Sequence, residues 1–343
     1  MSSALGQLVL TRLREPLRWP ETIFWTFLFP AVLASGLGIA FRQQQPDPAQ
    51  VVVLATAGSE ELAASLRRDP TVRVSMAADG PAADRLLRAG KAAIVIVPGS
   101  PLRYRFDPTR PESHLARSMV DAALQHAAGR RDPVATLDEP VTGRGARYID
   151  FLVPGLLGFN LMGGGLWGLG WAIVEARTRT LLKRLLATPM RRRAYLLAHM
   201  LARLAFLPLE VVTLLGLSWL LFGVGVAGSI ATLTLVILVG TLSFAGLGTL
   251  LASRAGTMET MSGLINLCQM PMMLLSGVFF ATSRFPAALQ PVIKLLPLTA
   301  LIDAMRRVMI EGAPLLSLGF PLLVLVVWGT VSFLVALRIF RWS

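Results

Sequence analysis

Charge is scarce in this 343-residue sequence, and cysteine is nearly absent. Only 15% of the residues are charged, whereas a soluble domain usually carries about 25%, so the composition argues against a water-soluble protein. The single cysteine, Cys268, excludes an internal disulfide and a cysteine cluster for metal. The chain is instead 54% hydrophobic. Its apolar residues are gathered in long blocks, which makes the lipid bilayer the first solvent to consider.

The net charge of +13 has a membrane explanation. Lysine and arginine cluster at the ends of the apolar blocks, where they orient a membrane protein and contact anionic lipid. The interleaving of aromatic and basic residues that is typical of a nucleic-acid surface is missing from the sequence. We therefore expect membrane lipid, and no nucleic acid, among the partners.

Charge-free runs predict six transmembrane helices, since a span needs roughly 20 mainly apolar residues. The run 211–253 is long enough for two of them, with Gly223-Val-Gly-Val-Ala-Gly228 as the turn. The first run lacks a well-placed small-residue cleavage site, which favours an uncleaved span over a signal peptide. The predicted spans are 23–41, 151–174, 201–222, 229–252, 260–281 and 315–337.

The basic residues also predict orientation, because short cytoplasmic loops are rich in lysine and arginine. The loop after span two is strongly basic, and the turn between spans three and four has no charge. Basic residues in 284–307 oppose this assignment and are outweighed by that loop. Both termini are thus expected in the cytoplasm, with 1–22 as a cytoplasmic amphipathic segment and 42–150 outside it.

Residues 42–150 are predicted to form a small α/β domain. Alternating apolar residues predict strands, and helical spacing predicts the segments between them. Such alternation is typical of a sheet with helices packed on it. The predicted strands are 51–54, 72–76, 93–97 and 102–106, and the predicted helices are 60–68, 82–89 and 113–128.

The cytoplasmic segment 175–189 has leucines at the spacing of one helical face, with basic residues between them. A short amphipathic helix of this kind either fits a groove on another protein or rests on lipid headgroups. Composition alone leaves both interpretations open. Pro189 ends the predicted helix before span three.

Two segments resemble the permease subunits of type-2 ABC exporters, in the subgroup with an extracytoplasmic domain after the first span. One is the acidic end of span two, the leucine-rich helix and Thr188-Pro189. The other runs through Ser276-Gly-Val-Phe-Phe280, Leu295-Leu-Pro-Leu-Thr299 and Ile302-Asp-Ala-Met-Arg306. The order of spans and domain also agrees. The resemblance implies an all-α polytopic fold of six spans with the small α/β domain.

The resemblance further implies that 175–189 is a coupling helix seated on a separate ABC ATPase. The chain has no Gly-x-x-x-x-Gly-Lys-Ser/Thr loop, so ATP and magnesium are expected on that partner, and this chain is expected to be no enzyme and to hold no cofactor. Glu175 would lie at the membrane boundary and bond loop arginines, or else be an ordinary helix-end carboxylate. The implied coupling residues are Glu175, Arg177, Thr180, Leu181, Lys183, Arg184, Leu185, Thr188 and Pro189.

An ionisable residue inside a span is costly and by default faces the bundle interior or a water-filled cavity. Glu210 in span three is predicted to pair with Arg203 two turns away; contact with cationic cargo, proton binding and a pair with Arg254 are the alternatives. The glycines at 163–165, 168 and 170 predict close helix packing or a bend in span two.

The segment 283–311 is too rich in proline and polar residues for a span, yet partly apolar. This mixture predicts re-entrant helices at the outer leaflet. The resemblance implies an outer gate region here, with Phe279, Phe280 and Pro297. Asp303 and Arg306 are spaced for an ion pair on one helix.

The leading hypothesis is an exporter permease in the bacterial cytoplasmic membrane, for drug, antibiotic or lipid-like cargo. The efflux assembly would contain two ATPase copies and a second permease, identical or related, with a periplasmic adaptor left open. The alternatives are an ion-coupled secondary transporter, which would show internal repeats and several midplane charges, and a membrane-anchored sensor, which needs only one or two spans.

Overall fold

The computed structural model describes residues 24–40, 48–130, 137, 145, 147–179 and 192–339. The predicted segment 1–22 and most of the predicted coupling helix lie outside these residues. Contacts divide the chain into two compact units, one formed by Met1–Arg42 with Val141–Ser343 and the other by Gln43–Pro140. Each unit has its own hydrophobic core.

The described helices and strands follow the chain in a simple order. The helix Tyr148–Thr178 is continuous and passes through a π-helical stretch, Gly164–Gly170. Turns of 3-10 helix, Thr282–Arg284, Ala287–Leu289 and Leu315–Leu318, precede the last helices. The elements are α1 (π-helix Phe24–Leu28, then Phe29–Ala40), β1 (Ala49–Leu54), α2 (Ser59–Leu66), β2 (Val72–Ala77), α3 (Gly80–Arg88), β3 (Ile94–Val97), β4 (Arg103–Arg105), α4 (Pro111–Ala127), α5 (Tyr148–Thr178), α6 (Arg192–Phe222), α7 (Ile230–Arg254), α8 (Met258–Leu275), α9 (Gln290–Leu295), α10 (Pro297–Met309) and α11 (Gly319–Ile339).

The unit Gln43–Pro140 is a four-stranded sheet in the order β2-β1-β3-β4. Strands β1, β2 and β3 are parallel, and β4 is antiparallel to β3. Side chains alternate between the two faces of a strand. Val51 and Val53 therefore enter the core under α2 and α4, whereas Val52 enters the core under α3. The strands and helices predicted for this segment are confirmed to within two residues.

Among the described residues, four helices are long and apolar enough to cross a membrane. The bent pair Ala287–Leu295 and Pro297–Met309 would make a fifth. Helix α8, the predicted span five, is not among them, since its 18 residues include Glu259, Asn266 and Gln269. The predicted count of six therefore stays a prediction. The four helices are Tyr148–Thr178, His199–Phe222, Ile230–Arg254 and Leu315–Ile339.

Helix α7 lies at the centre of the membrane unit and packs most extensively on α11 and on the π-helical stretch of α5. Close approach of backbones explains this contact. A Cβ placed on Gly246 would lie 2.7 Å from the carbonyl oxygen of Gly329 in α11. Small residues allow such approach between membrane helices.

The segment predicted to be re-entrant is a pair of helical arms that meet at 86°. Pro297 begins the second arm, where the missing N–H of proline costs no hydrogen bond. The indole N–H of Trp328 in α11 donates to the carbonyl oxygen of Leu295 at 2.8 Å and so satisfies the end of the first arm.

Candidate functional site

The C-terminal end of α5 carries the described part of the predicted coupling segment. Arg179 and Glu175 form an ion pair of 2.8 Å, four residues apart on the helix. Their side chains are 65% and 36% exposed. Exposed pairs of this kind contribute little to stability, so the contact orders the last turn without fixing the bundle.

Arg177, two residues before Arg179, points the other way. Its Nη1 donates to the carbonyl oxygens of Ala252 at 2.9 Å and Ala255 at 2.6 Å, and its Nη2 lies 3.5 Å from that of Ser253. These carbonyls are at the C-terminus of α7, where the last turn of a helix has no partners of its own. A cation there also complements the helix dipole.

The other predicted coupling residues lie outside the described residues. They are Thr180, Leu181, Lys183, Arg184, Leu185, Thr188 and Pro189.

In the middle of the unit, Arg203 and Glu210 of α6 form an ion pair. The guanidinium contacts both carboxylate oxygens, with Nη2 at 2.8 Å from Oε2. The two side chains are only 10% and 4% exposed. The guanidinium lies so close to Gly164 that a Cβ at this position would collide with it. The pair therefore joins α6 to the start of the π-helical stretch.

The π-helical stretch also carries aromatic side chains toward α8. The indole N–H of Trp167 donates to Oε1 of Gln269 at 2.6 Å, and the rings of Trp167 and Trp171 are 5.5 Å apart. Asn266, one turn earlier on α8, is exposed. π-Helical insertions occur frequently at functional sites. This cluster was not predicted from the sequence, although two amides within a predicted span were a signal.

One face of α8 is exposed along its length and mixes polar with apolar side chains. Its members recur every three or four residues, as expected for one side of a helix. We call it the α8 face. It consists of Glu259, Gly263, Asn266, Leu267, Met270 and Leu274.

At the N-terminal end of α5, Arg306 of α10 contacts two other segments. Its Nη2 donates to the carbonyl oxygens of Gly277 at 2.6 Å and Phe151 at 3.0 Å, and its guanidinium lies 3.4 Å above the ring of Phe151. The expected pair with Asp303 is wrong: Asp303 is exposed, and the guanidinium is occupied by carbonyls. Helix α8 ends at Leu275, so Arg306 holds the chain two residues beyond the end of that helix.

The predicted gate residues lie beside this contact between Arg306 and Gly277. The hydroxyl of Tyr148 donates to the carbonyl oxygen of Phe279 at 3.0 Å. Phe280 is 59% exposed, and Pro297 is buried at the start of α10. The chain that follows α8 is thus held by side chains from α5 and α10.

Comparison with known proteins identifies the family. The family described as ABC-2 family transporter protein matches residues 20–338. The chain belongs to this family. Its members are the membrane components of ABC transporters, and the ATPase activity lies in a separate subunit. This relationship supports a multi-pass membrane protein that needs an ATPase partner.

A curated relative covers part of the chain. Nodulation protein J of Rhizobium meliloti (strain 1021) is 32% identical over 106 residues. The match covers 31% of this chain and 40% of that protein. The chain thus spans less than half the length of this relative, which supports the permease assignment without defining a cargo.

Proposed function

We propose that this chain is the membrane-spanning subunit of an ATP-driven exporter that moves hydrophobic or amphipathic cargo outward across the bacterial cytoplasmic membrane. Two copies, or one copy and a related permease, would join two ATPase subunits. The family match supports the ATP-driven class. The α8 face is the structural observation that supports the cargo class.

Polar groups that face lipid are costly, so membrane proteins turn them toward other helices or a water-filled cavity. Asn266 is exposed in the middle of α8, on a face that the described residues leave uncovered. A second permease copy across a cargo path would cover this face. The α8 face then lines that path in each copy.

The side chains around the path fit cargo with both polar and apolar parts. Trp167 and Trp171 offer broad apolar surfaces with one N–H each, and Met270 is adaptable in shape. Asn266 and Gln269 supply amide donors and acceptors. Such a lining suits lipid-like molecules, drugs and antibiotics better than small ions.

The topology completes the proposal. The charge-free runs support six spans. The basic residues in the short loops support cytoplasmic termini and an extracytoplasmic unit at 42–150. The segment 175–189 is then cytoplasmic and available to the ATPase. In the same orientation, Phe279, Phe280 and the bent arms lie at the outer end of the path.

An ion-coupled secondary transporter is the second candidate, but the geometry does not favour it. Such a protein needs ionisable groups near the midplane that bind and release the coupling ion. Glu210 is the carboxylate proposed for this role, and both of its oxygens are occupied by Arg203. A sensor with one or two spans is disfavoured by the four candidate membrane helices among the described residues.

The test uses the permease purified with its ATPase and a panel of hydrophobic dyes, macrocyclic antibiotics and lysophospholipids. We expect some of these compounds to stimulate ATP turnover. Asn266→Leu should change the half-stimulating concentration about fivefold, because one hydrogen bond is worth about 1 kcal/mol. Thr330→Leu, an exposed polar-to-apolar change on α11, is the matched control and should leave that concentration unchanged.

Two results would contradict the proposal. One is solute movement that follows an ion gradient and needs no ATP. The other is stimulation that responds equally to Asn266→Leu and Thr330→Leu, which would remove the α8 face from the cargo path.

A further inference from the structure

The C-terminus of α7 depends on a side chain from another helix. Ala252, Ser253 and Ala255 are fully buried, so their carbonyl groups have no access to water. A buried carbonyl without a partner costs roughly 1–3 kcal/mol. Arg177, in the last turn of α5, donates hydrogen bonds to these carbonyls. We call the connection from Ala252 to Met258 the α7–α8 corner.

This corner connects two helices with different roles. Helix α7 ends at Arg254, and α8 begins at Met258 behind the N-cap Thr257. Helix α7 is the packing centre of the unit, and α8 carries the exposed face with Asn266. A displacement of the corner would therefore move both α7 in the core and α8 beside the proposed cargo path.

The guanidinium is suited to hold this corner, because its planar fork presents several donors in fixed directions. A lysine ammonium is a single flexible point charge and cannot reproduce that geometry. Arg179 provides an internal comparison. It lies on the same helical turn, is exposed and forms an ion pair with Glu175.

We propose that Arg177 is a positioning residue, through which movement of the segment after α5 reaches the corner between α7 and α8. The inference rests on the proposed function, in which this segment contacts the ATPase. Half-buried Arg177 then acts on the bundle through the bonds of its guanidinium to the α7 carbonyls. A movement driven by the ATPase therefore reaches the helices of the bundle through the α7–α8 corner as well as along α5.

The test needs no knowledge of the cargo. The permease–ATPase complex carries Cys268→Ser and Phe280→Cys, which places a single thiol at an outer position that is 59% exposed in the parent. The rate of its reaction with a membrane-impermeant maleimide is measured without nucleotide and with ATP plus vanadate. In the parent, nucleotide should change this rate.

Arg177→Gln should retain ATP hydrolysis within about twofold but reduce the nucleotide-dependent change at least about fivefold, the low end of typical coupling between sites. Arg177→Lys should retain assembly and give an intermediate response. Arg338→Gln, which changes an exposed arginine near the end of α11 and outside the segment 175–189, is the matched control and should respond like the parent. Loss of response with hydrolysis retained separates positioning from a defect in folding.

A parent-like response in Arg177→Gln would overturn the inference. If Arg177→Gln does not assemble, Arg177→Lys decides, and a full response in that variant assigns Arg177 a structural role only. A parent that binds no ATPase, or shows no response to nucleotide, would instead contradict the proposed function. The two failures are therefore distinguishable.

Discussion

Arg203 and Glu210 show how this sequence stabilises a charge within an apolar helix. Seven residues of α-helix separate their Cα atoms by about 10 Å, a gap that two long side chains close. Both are buried. Removing water from two ions is costly, and their attraction offsets this cost only while both are present.

Removing one partner should therefore be worse than removing both. We expect Glu210→Leu to destabilise the protein by about 3–5 kcal/mol, because it leaves a buried guanidinium unpaired. The double variant Arg203→Met, Glu210→Leu should recover most of this loss. Thermal unfolding of the purified protein in detergent measures the difference, with Val212→Ala, an exposed change on the same helix, as the control. Additive losses in the double variant would show that the ions do not depend on each other.

The sequence predicts some of these residue contacts and not others. Helical spacing was sufficient to suggest the Arg203–Glu210 pair. It could not suggest the partners of Arg177 or Arg306, because these are backbone carbonyls as far as 78 and 155 residues away along the chain. Every residue has a backbone carbonyl, so the types of the side chains do not indicate which carbonyl an arginine will contact.

At the scale of helices, α7 packs by backbone contact with α11. Gly246 faces the carbonyl of Gly329, and a Cβ on Gly329 would lie 3.0 Å from Cα of Ser243. Backbone atoms cannot relieve a clash by changing rotamer, as a side chain can. The helices must therefore separate before a larger residue fits.

This contact predicts different outcomes for two glycines. Gly246→Ala should destabilise the protein by about 1–3 kcal/mol, the usual cost of overpacking. Gly216→Ala on α6 should be neutral or stabilising, because its Cβ would enter open space and alanine favours helices. Unfolding midpoints of both variants in the same detergent provide the measurement. Equal midpoints would mean that α7 and α11 pack less closely than the structure shows.

Helices were predictable where hydrophobicity was unbroken. Spans two, three, four and six correspond to α5, α6, α7 and the helix that ends at Ile339. The π-helical stretch Gly164–Gly170 was not predictable as such, because glycines indicate close approach or bending without specifying the helix type. Helix α8 was predicted as a span, but its amide side chains make it less apolar than a helix that faces lipid.

At the scale of the whole molecule, the α/β unit has a core independent of the membrane helices. Two apolar clusters cover the two faces of its sheet. Tyr104 is the single tyrosine of this unit and donates to Asp121 at 3.2 Å. Burial, and then the nearby carboxylate, raise the pKa of Tyr104 to about 12.

This shift predicts a pH dependence for residues 43–140 produced alone. Between pH 10 and about 12 the unfolded chain loses the tyrosine proton, whereas the folded unit retains it. Folding stability should therefore fall as the pH rises through this range, and Tyr104→Phe should remove this part of the fall. Tyrosinate absorbance measures the pKa directly. Asp121→Asn should lower it yet leave it above 10, because burial is the larger cause; a value near 10 in the parent would contradict the contact.

The glycine contact between α7 and α11 also limits how the transporter can change shape. Helices slide past one another by exchanging side-chain conformers, and two backbones in direct contact have none to exchange. We therefore expect α5, α7 and α11 to travel as one block during the transport cycle. Opening and closing must then come from movement of this block against the helices outside it, with the hinges at the edges of the block.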